Sequence, residues 1–238
     1  MKKLVVPAIL CAAVLVAASA RAAVGITDPA GDFLLPTYTG AQAGDLDVRS
    51  AFVTYDSGSN SFLLSGTVGA PVGTTSTAFY VWGIDRGQGT QRFVTPGSSF
   101  GVGVSFDSVV IFRLDGSATV NRLVEGGSTV VPGAVTFSGD TFSGTVAAGL
   151  LPSLGATSAS YTWNLWPRDG AVPAAAGVAA ISDFAPDAAN AAVVAVPEPE
   201  TYALMAIGLG CIAWIGRRRH RVAAPAASRS SERAGALS

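Results

Sequence analysis

Between residues 23 and 196 the chain offers carboxylates and aromatic rings and little else that is reactive. Twelve Asp and Glu125 stand there against six Arg, with no Lys, His or Cys. Asp28, Asp32, Asp45 and Asp47 crowd its N-terminal end. Oxygen ligands in loops beside strands suit Ca²⁺, which takes about six to eight of them. No EF-hand loop or nonapeptide calcium repeat accompanies these residues, and capping of turns is the ordinary use of such Asp side chains. Calcium is therefore the one cofactor candidate, and no other is expected. Trp82, Trp163 and Trp166, with Tyr80 and Tyr161, would stack on sugar rings if a sheet face exposed them. Strand aromatics more often fill a core, and the runs holding Trp82 and Trp163 read as buried.

Several reactions are excluded. GSSFG (97–101) matches the G-x-S-x-G nucleophile elbow at Ser99, but an elbow needs a base. The single His of the chain is His220, and no Lys lies in 23–196, so neither a Ser-His nor a Ser-Lys pair is available. Thiol catalysis and Cys/His zinc sites fail for want of ligands. RGQGTQR (86–92) lacks the third glycine and following helix of a dinucleotide loop and reads as a hairpin turn. Paired carboxylates are what remains, and such a hydrolase needs two acids about 5–9.5 Å apart in a cleft. Asp85 and Asp107 are acids near strand ends, with nothing more to mark them. The reading is that the chain is not an enzyme.

The elements that position these residues read as short strands. Leu46 to Tyr55 alternates, with Leu46, Val48 and Phe52 on one face and Asp47 and Arg49 on the other. DSGSN (56–60) then turns the chain into SFLLSGTV (61–68), a hairpin. TAFYVWGID (77–85) is aromatic and β-branched, and Gln91–Val94 follows a Gly-rich turn. Residues 107–114 and 117–124 form a second hairpin around Asp115-Gly116, and 134–137 with 141–146 a third. YTWNLW (161–166) alternates and stops at PRDG (167–170), while AAGLLPSLG (147–155) holds at most one turn of helix. Strands at this spacing predict an all-β, antiparallel sandwich of jelly-roll type over 23–170. Residues 171–196, with 12 Ala and two Pro, read as linker with one last strand near 191–196.

The two ends differ from this domain and from each other. Over the whole chain 49% of residues are hydrophobic and 13% charged, too few cations for a nucleic-acid binder. Residues 23–196 sit at −7, whereas 217–238 sit at +5. Lys2 and Lys3, the apolar run Leu4–Ala18 and the small-x-small site Ala20-Arg21-Ala22 make 1–22 an export signal, handed to a secretion translocon and cut by signal peptidase. At the other end, VPEPET (196–201) breaks secondary structure with two prolines. Residues 202–216 are uncharged and apolar, and Arg217, Arg218, Arg219, His220 and Arg221 follow at once. Fifteen helical residues reach about 22 Å, short of a hydrocarbon core of about 30 Å, but snorkelling arginines and local thinning permit one span. The positive-inside rule then leaves 222–238 as a disordered cytoplasmic tail and 23–196 as a periplasmic ectodomain.

Residues 196–221 resemble the PEP-CTERM sorting signal of Gram-negative bacteria: Pro-Glu-Pro, one hydrophobic span, an arginine cluster. The resemblance covers about 26 of 238 residues. It implies Pro197, Glu198 and Pro199 as the recognition motif, 202–216 as a transmembrane helix, and Arg217, Arg218, Arg219 and Arg221 as the membrane stop. It also implies exosortase as the processing partner and the cell surface or exopolysaccharide matrix as the destination. The sequence thus reads as a non-catalytic surface or matrix protein. A carbohydrate-binding module of the same fold, recognised by an exposed aromatic strip, is the alternative. A carboxylate hydrolase, recognised by converging acids in a cleft, is the third.

Overall fold

The computed structural model describes residues 25–196 and 204–214, with backbone alone at 174–176. The export signal with Ala20 and Ala22, the motif Pro197, Glu198 and Pro199, the stop residues Arg217, Arg218, Arg219 and Arg221, and the tail 222–238 lie outside the described residues. The chain divides into two compact units after Val196.

The first unit is built of two mostly antiparallel sheets. One contains β1 (Ile26–Thr27), β2 (Val48–Asp56), β3 (Ser61–Val68), β8 (Val135–Ser138) and β9 (Thr141–Ala147) in the order β1-β2-β3-β9-β8. β12 (Val194–Val196) shares the outer edge of β2 with β1 and runs parallel to β2. The other runs β11-β10-β4-β5-β6-β7, from β4 (Ala78–Asp85), β5 (Ser108–Arg113), β6 (Ala118–Arg122), β7 (Ser128–Val131), β10 (Thr162–Asp169) and β11 (Ala191–Ala192). All three expected hairpins form. Hairpins and a β4–β7 meander are joined within their sheets by the sequence-distant pairs β3–β9 and β4–β10, an order that departs from the nested Greek keys of a jelly roll.

The inner faces of both sheets supply one buried cluster: Val53, Leu64, Phe142 and Val146 from the first, Tyr80, Trp82, Phe112 and Trp163 from the second. Tyr80 stacks on Phe142 at 4.0 Å between ring centres, and Trp82 meets Trp163 at 5.4 Å. A second cluster covers the outer face of β4 and β10, where Val81 and Trp166 pack under Phe106, Ile181 and Phe184. Gly83 is required there, because a Cβ would lie 2.5 Å from the Trp166 ring. The roof comes from two segments without regular strands, 86–107 and 171–190. Gln91–Val94 is not a strand; Thr90 merely bridges to Phe106.

Three expectations are corrected by named residues. Residues 171–196 are no linker: Ile181 and Ala185 bridge to Arg168 and Leu165 and are fully buried, so this strap closes the domain. β10 also continues through Pro167 to Asp169, because Pro167 lacks its N–H on the side facing the strap, where its carbonyl accepts from Ser182 N at 3.2 Å. In β2, a bulge between Val48 and Ser50 shifts the alternation by one residue. Val48 points inward, but beyond the bulge the inward residues are Ala51 and Val53, and Phe52 faces away from them.

Candidate functional site

The bulged end of β2 is where acidic side chains converge. β1 pairs with β2 through Ile26–Ala51 and Thr27–Ser50, and Asp28 N donates to Arg49 O at 3.0 Å. The chain then turns through Pro29, Ala30 and Gly31 to Asp32. Gly31 adopts φ +74°, and its N–H donates to both carboxylate oxygens of Asp47 at 3.1 Å. From the far side comes the strap. Ser182 donates through Oγ to Leu46 O at 2.7 Å and accepts Leu34 N at 2.9 Å, so the next residue, Asp183, points inward. Asp183 Oδ2 accepts Val48 N at 2.9 Å.

Asp28, Asp32 and Asp183 thereby place one carboxylate oxygen each within 4.8 Å of one another. Asp28 Oδ2, Asp32 Oδ1 and Asp183 Oδ1 are buried and have no hydrogen-bond partner. Burial pushes the Asp183 carboxyl up to about 9, with the charges of Asp28 and Asp32 adding to it. Burial likewise pushes Asp28 up to about 7, helped by Asp32 and Asp187, and raises Asp32. The neighbouring cation, Arg49, is turned to Asp47 at 3.4 Å and half exposed.

The four N-terminal acids read from sequence as one group are therefore split. Asp28 and Asp32 meet, but Asp45 accepts from Thr75 N at 2.6 Å and Thr75 Oγ1 at 2.8 Å, ordinary loop capping. Asp47 is the hydrogen-bond acceptor for Gly31. Asp183, which sequence reasoning missed, completes the group; its signal was a lone acid between Ile181 and Phe184 in a mostly apolar stretch.

The aromatic platform is overturned. Trp82, Trp163 and Trp166 are 0%, 1% and 2% exposed, because the first two lie between the sheets and the third lies under the second cluster. The acids near strand ends are also occupied. Asp85 Oδ1 accepts Gly87 N and Gly89 N at 2.8 Å, and Asp107 accepts from the backbone and side chain of buried Arg86. Ser99 sits in a turn, accepting Val102 N through its carbonyl at 3.2 Å. A cleft of about 560 Å³ opens beside β10, lined by Phe79, Phe93, Arg168, Asp169 and Val178. Arg168 lies over the Phe79 ring there and donates through Nη2 to Gly177 O.

The second unit shows a helix over 204–214 whose apolar side chains, Leu204, Met205, Ile207, Leu209, Ile212 and Trp214, are exposed. It lies inside the span expected at 202–216, but among the described residues no helix is long and apolar enough to cross a membrane. Comparison with known families places the PEP-CTERM protein-sorting motif on residues 195–219. No curated protein and no solved structure matches the chain. The molecule is thus a β-rich domain followed by a sorting signal. That signal implies an exported, surface-directed protein whose processing partner is an exosortase.

Proposed function

We propose that this chain is a non-catalytic protein of the cell surface or exopolysaccharide matrix. Its precursor is held in the inner membrane by residues 202–216 and released or transferred by exosortase near Pro197-Glu198-Pro199. The observation that carries the reading is the sorting motif over 195–219. Two features support its finer parts. Uncharged residues 202–216 run directly into Arg217, Arg218 and Arg219, which favour the cytoplasmic side of a membrane. Asp85 and Asp107, the acids considered for hydrolysis, serve as hydrogen-bond acceptors for their own loop and for Arg86, which supports a structural domain.

Glu198 separates recognition from simple anchoring. Pro199 disfavours the helical region at Glu198, and Pro197 fixes its own φ, so the segment favours the extended form in which peptidases bind substrates. Glu198→Gln, or Pro197→Ala with Pro199→Ala, should leave membrane insertion intact and stop C-terminal processing. Immunoblots of an ectodomain-tagged protein would then show uncut precursor, matching the pattern in a strain without exosortase. Normal processing of both variants would reduce the segment to a linker.

A further inference from the structure

We propose that Asp28, Asp32 and Asp183 form a calcium site that fastens the 28–32 turn to the 181–185 strap. Three observations carry it. The three oxygens lie within 4.8 Å of one another, the greatest separation that two ligands at about 2.4 Å from one ion can have. Each of the three residues also has one buried carboxylate oxygen with no hydrogen-bond partner, Asp28 Oδ2, Asp32 Oδ1 and Asp183 Oδ1, although buried polar atoms are nearly always partnered. Independently of the clustering, Asp183 is fully buried beside Asp28 and Asp32, and with Oδ2 held by Val48 N its Oδ1 is left without a partner. A side chain so fixed cannot turn its free oxygen toward water.

The donor set selects the ion class. Carboxylates alone, without His or Cys, suit a hard cation. An irregular turn and a strap from distant parts of the chain suit calcium's loose geometry better than the strict octahedron of magnesium. Asp47, which holds Gly31 and so shapes the turn, is a positioning residue, and exposed Asp187 adds negative potential nearby. Bound calcium joins β1's exit to the strap beside β10, so it links the edges of the two sheets. The rival occupant is a proton shared between Asp28 and Asp183.

The test is thermal unfolding of the full-length protein in mild detergent, first in EDTA and then with about 10 mM CaCl₂ or MgCl₂. An affinity typical of extracellular sites, about 0.1 mM, makes that calcium roughly a hundredfold excess. Such an excess raises the midpoint by about 5–10 °C for a domain of this size. Asp183→Asn and Asp28→Asn should each abolish the shift. Asp45→Asn should lower the starting midpoint yet keep the shift, since Asp45 is bonded to Thr75. Should one variant fail to fold, Asp32→Asn serves in its place, and calorimetric titration of the wild type should give about one Ca²⁺ per chain. A wild-type midpoint unmoved by calcium, an equal shift in the Asn variants, or an equal shift with magnesium would each overturn the proposal.

Discussion

Two clusters of ionisable side chains in the domain differ in how their buried charge is balanced. At the turn after β4, Arg86 is fully buried and donates through Nε to Asp107 Oδ1 at 2.7 Å. Its Nη1 and Nη2 reach the two oxygens of Glu125 at 2.8 and 2.6 Å, and Nη1 also reaches Pro152 O at 2.8 Å. Asp107 Oδ2 accepts Arg86 N and Gln88 N. One cation thus ties together the β4 exit, the start of β5, the β6–β7 turn and the 152 loop. At the bulged end of β2 three carboxylates meet, and the neighbouring cation Arg49 pairs with Asp47 instead. A buried charge is tolerated when its partner is folded in with it. Where no described residue supplies a partner, a proton or an ion from solution must do so. The first centre therefore holds the fold under all conditions near neutrality, and the second makes part of it conditional on the medium.

The comparison is broken most strongly at Arg86. Arg86→Met leaves Asp107 buried and unpaired, and loss of one partner from a buried pair costs about 3–5 kcal/mol. Urea unfolding at pH 7 measures this directly. A loss under about 1 kcal/mol would mean that the network is a by-product of packing. Asp183→Asn should behave in the opposite way. In EDTA at pH 7 the amide keeps an oxygen for Val48 N and, like the carboxyl that burial pushes up to about 9, carries no charge, so stability should fall by no more than about 1 kcal/mol. A large loss in EDTA would show that the carboxylate is already satisfied inside the protein, which would erase the contrast between the two centres.

Much of this architecture was legible in the sequence, and the failures share physical causes. Hairpins at 48–68, 108–122 and 135–147 were readable because each joins alternating residues through a short turn of Gly, Asp, Ser or Asn. Alternation puts Phe52 on the face of Val48, and the structure reverses it, because a bulge carries no residue-type signature strong enough to reset the count. The strap 178–185 was invisible because its Ala-rich composition resembles a linker, whereas its fold depends on backbone pairing with β10 some fifteen residues earlier. Asp28 and Asp32 stand out in the sequence as ligand candidates, but Asp183 does not, since the Val48–Asp183 hydrogen bond spans 135 residues. Local pattern reveals which residue types are unusual; only tertiary pairing decides which of them meet.

The smallest expected effect sharpens the comparison through pH. Glu125 is about a third exposed, so its bonds to Arg86 are screened, and Glu125→Gln should cost about 0.5 kcal/mol at pH 7. Hydrogen bonding to Arg86 holds the Glu125 carboxyl at about 2, below its ordinary value of 4.5. A depressed acid stabilises the fold fully above the unfolded-state value and loses that contribution as pH falls through the folded-state value. The gap between wild type and Glu125→Gln should therefore be constant above pH 5 and should close between about pH 4.5 and 2. Raising salt should shrink the gap further, because the pair reaches the surface. Urea midpoints across pH provide the measurement, and a gap that persists unchanged at pH 2 would mean that Glu125 contributes by packing alone and that Arg86 is balanced by Asp107 without it.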